Sequence, residues 1–315
     1  MAKAQPKFMG GQAVMEGVMM RGPRTWAVAV RTPDGDIEVE VHDAPAWSER
    51  WSHVPLVRGL MSLAESLSLG FKALAWSANR QIPEEERISP RALGWSMALA
   101  LVLFSLIFLV GPTLLASGSG HLFGVHGFAY HLVEGAIRLS VFLGYLILIG
   151  FIKDIRRVFQ YHGAEHKSIA AYEKGVELTP ESAQQFTTEH VRCGTNFLLT
   201  VMVMTIVVYS FVGRPALPWL VASRILLIPV VAGLAYEIIR FSARHMDRPW
   251  VRAVMKPGLL LQRLTTREPD LDQLEVAITS LRAAMTAEQL TEVEARSPAP
   301  APALAPQPAP AFGTS

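Results

Sequence analysis

Cysteine is almost absent from this chain: Cys193 is the single one in 315 residues. No internal disulfide can form, which suits a reducing compartment and leaves the thiol free for a metal or for chemistry. Charge is scarce as well. Asp, Glu, Lys and Arg make up 18% of the residues against 50% hydrophobic, and the mean hydropathy is +0.28. An ordinary soluble enzyme is not that apolar, so the composition points to an integral membrane protein. The net charge of +2 gives no broad basic field, and no RNA- or DNA-binding motif is found, which excludes a nucleic-acid partner. The start of the chain has no charged patch running into a long apolar stretch, so no cleavable signal peptide is expected. The glycines of residues 10–22 are not followed by Lys-Ser or Lys-Thr, so they are not a phosphate-binding loop.

What is present begins with four apolar stretches long enough to cross a bilayer: Leu93 to Ala116, Gly135 to Ile152, Phe197 to Val212 and Trp219 to Ile239. Pro112 and Pro229 are tolerable inside such helices, and Arg138 and Arg224 are expected to reach from near the helix ends to the interface. The connection from Ser117 to Glu134 has no Lys or Arg, whereas Lys153, Arg156, Arg157, Lys167, Lys174 and Arg192 crowd the next one, and Arg240, Arg244, Arg248, Arg252 and Lys256 follow the last span. The positive-inside rule then puts both termini in the cytoplasm. His121, His126 and His131 recur every five residues in the outer connection, which lines no single helix face. They read as interfacial residues.

Outside the spans, Trp26, Val28 and Val30 alternate with other residues, Thr32 to Asp36 supplies a turn, and Ile37, Val39 and Val41 alternate again. This predicts a small β-hairpin with one apolar face. The glycine-rich run before it, Gly10 to Pro23, reads either as a strand and turn packed on the bundle or as a segment whose Glu16 and Arg21 reach into a site, since isolated charges in an apolar run need partners. Arg58, Glu65 and Lys72 recur every seven residues in Leu56 to Ala75, a helix that lies in the interface, packs against the bundle or re-enters the membrane. Leu271, Leu274, Ile278 and Leu281 behind Pro269 predict a short amphipathic helix, and the Pro-Ala repeats after Ser297 a disordered tail.

The chemistry concentrates in His162-Gly163-Ala164-Glu165-His166, an H-x-x-E-H pattern. On a helix the two imidazoles share a face and Glu165 lies beside them. That is the inverzincin spacing, with the carboxylate placed to take a proton from metal-activated water. His190 and Cys193, three apart at the other end of the same connection, are further zinc-type donors if the segment folds back on itself. Each has a plain alternative: an interfacial histidine bonded to a carbonyl, or a cysteine acting as a small buried hydrophobe. Glu237, an acid inside the last apolar helix, is a candidate third ligand or substrate contact.

Three motifs carry a resemblance: Gly-Gly-Gln-Ala-Val-Met-Glu-Gly-Val-Met-Met-Arg-Gly from Gly10, Tyr-His-Gly-Ala-Glu-His-Lys from Tyr161, and His-Val-Arg-Cys-Gly-Thr-Asn-Phe from His190. Together they resemble the bacterial YqhQ-like family, whose members are described as predicted metal-dependent membrane enzymes. The resemblance implies a metal-dependent, membrane-embedded protein of unassigned substrate.

The expected fold is predominantly α: a polytopic protein of the bacterial inner membrane with about four transmembrane helices, a small N-terminal β-hairpin module and a cytoplasmic metal-site loop. Its parts are residues 1–55, the hairpin module; 56–92, the amphipathic helix and linker; 93–264, the bundle with loop 153–196; 265–292, the second amphipathic helix; and 293–315, the tail. Two functions fit. One is a hydrolase that binds a divalent ion, zinc by its donors, through His162, His166, Cys193 and His190, with Glu165 as general base and a peptide or amphipathic substrate reached from the lipid bilayer. The other is a scaffold or transporter with a structural or passing ion.

Overall fold

The computed structural model describes residues 9–123, 127–213 and 215–295. Four strands, β1 (Gly10–Val14), β2 (Gly17–Arg21), β3 (Thr25–Arg31) and β4 (Ile37–Asp43), form an antiparallel sheet in sequential order. The helices follow: α1 (Trp47–Arg50), α2 (Val57–Arg80), α3 (Pro90–Ser105), α4 (Gly111–Phe123), α5 (Gly127–Ile149), α6 (Lys153–Lys174), α7 (Pro180–Gln184), α8 (Gly194–Val212), α9 (Leu217–Leu226), α10 (Ile228–Arg244), α11 (Pro249–Thr265), α12 (Leu271–Ala283) and α13 (Ala287–Glu294). A π turn, Leu106–Val110, joins α3 to α4.

The expected hairpin is thus a four-stranded sheet, because the glycine-rich run adds β1 and β2. Its centre is covered on both sides rather than one. Met19 lies opposite Val28 on the face that Leu69 and Ala73 of α2 cover. Val18 opposite Ala29 and Met20 opposite Ala27 face Leu274, Ala277 and Leu281 of α12. Small alanines make room for a close helix, so they are core here and not the solvent side of an alternating strand. Edge strand β4 escapes this cover, and Val39 and Val41 remain 40% and 50% exposed.

The expected metal-site loop is mostly helix. α6 is closed by Gly175 at φ 70, with N–H groups of Gly175 and Val176 bonded back to Tyr172 and Ala171, a Schellman-type stop. α6 packs on β1, β2, α7 and α12. A reciprocal capping box between Asp270 and Gln273 starts α12. The sheet, α6 and α12 therefore form one packed unit built from the beginning, middle and end of the chain. α2 bridges this unit to the bundle: its Gly59 lies against Tyr236 of α10, and Gly233 of α10 lies against Leu56, the N-cap of α2.

Three helices are long and apolar enough to cross a membrane: Arg91–Gly118, Gly127–Ile149 and Gly194–Val212. A fourth span exists if α9 and α10, bent by 42°, count as one. Their outward surfaces are apolar: Leu148, Phe211 and Leu226 are among the largest exposed side chains. Of the histidines read as interfacial, His131 is buried beside Glu134, 3.6 Å away. His126 and the tail from residue 296 lie outside the described residues, as does the side chain of His121.

Arg138 and Arg224 do not reach outward to an interface. They are 3% and 1% exposed and converge on Glu134, 1% exposed, inside the bundle. Arg138 Nη2 donates to Glu134 Oε1 at 2.9 Å, and Arg224 bridges both carboxylate oxygens at 3.0 and 2.6 Å. Thr113 of α4 donates to Oε1 at 2.9 Å. Arg138 also reaches Thr205 of α8 and the Phe108 carbonyl in the π turn, where the helix ladder is interrupted. The Tyr209 ring lies between the two guanidiniums, 5.6 and 4.3 Å from their centres. Spacing read Arg138 as near a helix end because Glu134 was assigned to the connection, whereas α5 starts at Gly127.

Removing Glu134 leaves two buried guanidiniums without a counter-ion. We predict that Glu134→Leu lowers stability by about 3–5 kcal/mol, measured as a large drop in melting temperature of the detergent-purified protein. An unchanged melting temperature would sink this account of the bundle.

Candidate metal centre

Helical spacing brings His162 and His166 together on α6 with ring centroids 4.5 Å apart. Cys193, the N-cap of α8, places its Sγ 3.2 Å from His162 Nε2. One ligand atom from each of the three lies within 4.8 Å of the others. Among the described residues no other trio of His, Cys, Asp or Glu side chains meets this closely.

The far nitrogens of both imidazoles are anchored. His162 Nδ1 lies 2.8 Å from the Thr265 carbonyl at the end of α11, and His166 Nδ1 lies 2.5 Å from the Thr188 carbonyl. A carbonyl only accepts, so Nδ1 carries the hydrogen in each ring and Nε2 keeps its lone pair for a ligand. This is the arrangement by which second-row contacts fix tautomer and ring orientation in metal sites. Burial holds His166 below the usual imidazole pKa, although its bond to Cys193 opposes this. The side chain is neutral, as a ligand must be.

Backbone geometry keeps these segments in place. Gly163 sits against the Arg267 carbonyl, and the Arg267 N–H bonds the Phe159 carbonyl at 2.8 Å. Gln262 of α11, fully buried, accepts from the His190 N–H and donates to its carbonyl, both at 2.8 Å, fixing the segment that leads to Cys193. Gly258 lets α11 approach Asn196 of α8.

Glu165 is buried against β1. A side chain on Gly11 would meet its Cγ, Cδ and Oε1 at 2.8 to 2.9 Å, and the Ala13 N–H donates to its carboxylate. β1 is an edge strand with no neighbour beyond it, so an outward N–H is free for this bond. Burial pushes the carboxyl pKa up to about 7, with His162 and the Ala13 bond acting in the opposite direction.

The other candidates lie elsewhere. His190 has its ring centroid 5.6 Å from that of His166, but its Nε2 is turned to Glu173 at 3.5 Å, so it neighbours the trio without joining it. Burial disfavours the Glu173 carboxylate, yet the bonds from His190 and Arg192 outweigh it and hold the group below the usual range. Glu16 and Arg21 do not pair or enter the site. Glu16, at φ 51 in the β1–β2 turn, binds Arg157 and accepts from Tyr161 at 3.3 Å. A non-glycine residue there stores strain of order 1–3 kcal/mol, which the contacts to α6 offset. Arg21 pairs with buried Glu65 of α2, which explains the acid in that helix's polar stripe. Glu237 is held by Arg58 Nε at 2.8 Å and Nη2 at 2.5 Å and is not part of the trio.

Residues 54–287 match the family described as "Protein of unknown function (DUF1385)". The chain is also 34% identical over 305 residues to the "Uncharacterized protein YqhQ" of Bacillus subtilis (strain 168), covering 91% of this chain and 95% of that one. The chain belongs to this YqhQ-like DUF1385 family. No solved structure matches it. The DUF1385 stretch includes His162, Glu165, His166 and Cys193 as well as the anchoring Thr188, Gln262 and Thr265, whereas the sheet that seats Glu165 precedes it.

None of the three anchoring residues is singled out by its type, because two of them act through backbone carbonyls that every residue has. Gly11 had a signal, since a glycine-rich run beside a charged motif invites a close backbone approach.

A methyl group on Gly163 would lie 2.1 Å from the Arg267 carbonyl, so α6 and the chain after α11 would have to part. We predict that Gly163→Ala costs about 1–3 kcal/mol in stability, whereas Gly10→Ala, with nothing within 4 Å of the added carbon, is nearly neutral. Equal melting temperatures for the two variants would refute the close approach.

Proposed function

We propose that this family member is a multi-pass membrane protein that holds a divalent metal ion, zinc by its donor set, between His162, His166 and Cys193, and uses it with Glu165 in a hydrolytic reaction. The observation that carries the reading is the trio itself: three donor atoms within 4.8 Å, two of them on imidazoles whose opposite nitrogens are tied to carbonyls. Two nitrogens and one sulfur suit zinc, and three protein ligands leave the fourth tetrahedral position open, the pattern of catalytic rather than structural sites.

A metal in such a site polarises a substrate oxygen and brings the pKa of water to roughly 7. Glu165, three residues from His162 on the same helix, takes the proton from the attacking water on its carboxylate and returns it to the leaving group. The Thr188 and Thr265 carbonyls hold the two imidazoles in one tautomer and orientation throughout. The substrate class is an amphipathic or peptide molecule presented at the bilayer surface.

The membrane setting rests on the apolar outer surfaces of the long helices, too extensive for water. Because the sheet, α6 and α12 pack as one unit, the two ends of the described chain and the α6 segment share one side. The positive-inside rule, applied to the basic residues 153–192 and 240–256, supports reading that side as the cytoplasmic face of the inner membrane. One observation favours the alternative of a transporter: ionisable residues buried within spans commonly mark ion pathways, and Glu134 with its two arginines is such a group.

Metal analysis of the purified protein tests the reading. The wild type is expected to carry one zinc per chain, His162→Ala, His166→Ala and Cys193→Ser to lose it, and His190→Ala and Glu165→Gln to keep it. In the cobalt-substituted protein, azide should change the visible spectrum by taking the open position. A wild type without stoichiometric metal ends both the enzymatic and the transport versions, whereas a cobalt spectrum indifferent to azide leaves only a closed, structural ion. For the topology, green fluorescent protein fused to the C-terminus should fluoresce and alkaline phosphatase fused there should be inactive; the reverse pattern would overturn the orientation.

A further inference from the structure

A second site lies away from the histidines. A cavity of about 550 Å³ opens between the β3–β4 side of the sheet, α2 and the start of α3. That is the size of a small-molecule pocket. Its floor is set by strand register: Trp26 and His42 are directly opposed, with rings stacked at 4.5 Å, and Glu40, opposite Val28, lies on the same face. Asp43 ends the strand at the rim. Lys72, Trp76 and Asn79 recur at helical spacing on the face of α2 turned to the cavity. The third wall is Ile88 and Leu93; the Ile88 N–H donates to Asn79 Oδ1 at 2.9 Å, which ties the linker to α2.

Two groups in this lining have chemistry to spare: Lys72 and Asp43 take part in no ion pair among the described residues. The cavity thus offers a cation on its helical wall and two carboxylates on its strand wall, of which Glu40 also bonds His42 at 2.7 Å. A ligand that answers both carries an anionic oxygen and a cationic nitrogen a few bonds apart. The setting adds a third requirement. Leu93 lies in the first turn of α3, close to where the candidate span Arg91–Gly118 begins, and Trp95 and Leu99 of the same helix present an exposed apolar ridge one turn apart. On the membrane reading above, on which this inference rests, the cavity lies at head-group depth with its ridge leading into the hydrocarbon.

We propose that this cavity binds the head group of an aminophospholipid, its phosphate on Lys72, its primary ammonium between Asp43 and Glu40, and its acyl chains along α3. The carboxylates select an ammonium with N–H donors over a methylated one, which cannot hydrogen-bond. The site does not depend on the metal centre, since none of its residues contacts the histidines or Cys193.

The test is lipid retention by the full-length protein, extracted from vesicles of equal phosphatidylethanolamine and phosphatidylcholine and examined by native mass spectrometry. The wild type should retain phosphatidylethanolamine about tenfold over phosphatidylcholine, the loss expected for one charge-assisted contact. Lys72→Met and Asp43→Asn, both at exposed positions, should each abolish that preference while zinc content and melting temperature stay unchanged. Glycerophosphoethanolamine, which has the head group and no acyl chains, should not displace the lipid. Equal retention of the two lipids, variants that bind as the wild type does, or displacement by the acyl-free head group would each overturn the proposal. Carbonate extraction of cell membranes reads the membrane assignment separately: a protein released into the supernatant refutes that assignment, and the lipid site with it.

Discussion

One carboxylate holds the helical bundle to a single arrangement. Glu134 is the shared counter-ion of Arg138, a turn away on α5, and Arg224, from the bent α9–α10 pair, while Thr113 adds a bond from α4. Buried charges tolerate few geometries, because each must keep its partners or bear the cost of a dry, unpaired ion. Hydrophobic contacts among the same helices could slide by a turn at little cost; this cluster cannot. Since Arg138 also bonds Thr205, the constraint extends to α8, and α8 begins at Cys193. The position of the thiol is therefore coupled to an ion cluster far down the same helix.

The histidines depend on a different set of contacts. α6 supplies both imidazoles, but their orientation comes from carbonyls on two other segments, and the approach of those segments depends on glycines and on the Gln262 clamp. A site assembled this way has little freedom to relax. Its side chains are constrained from α6, α8 and α11 at once, and Glu165 from β1. Preorganisation of this kind is what a metal needs to meet its ligands without reordering the chain.

Much of this was legible in the residues, and the illegible part has a common cause. H-x-x-E-H gave its own geometry, because helical spacing alone puts His162 beside His166, and the thiol three residues after His190 pointed to a return of the chain. The apolar runs marked the long helices with ends shifted by a few residues. What the residues could not disclose was pairing between distant segments. Ala27 and Ala29 look like the indifferent side of a hairpin until α12 covers them, and Arg138 looks like an interfacial anchor until Glu134 is placed on the same helix. Glu237 and Arg21 look available because their partners, Arg58 and Glu65, belong to a separate helix whose polar stripe names no partner in the sequence. Backbone carbonyls are silent in any sequence, so the anchors at Thr188 and Thr265 had no signal at all.

The cover that α12 gives the sheet also sets a schedule for synthesis. Ser280 bonds the carbonyl of Ala27 across a separation of 253 residues, and the apolar face around that bond belongs to strands made almost first. At 5–20 residues per second, the ribosome leaves that face without its helix for roughly 13–50 seconds. During that interval the nascent sheet has an unprotected apolar surface. Helix α12 thus completes a core begun by strands 253 residues earlier.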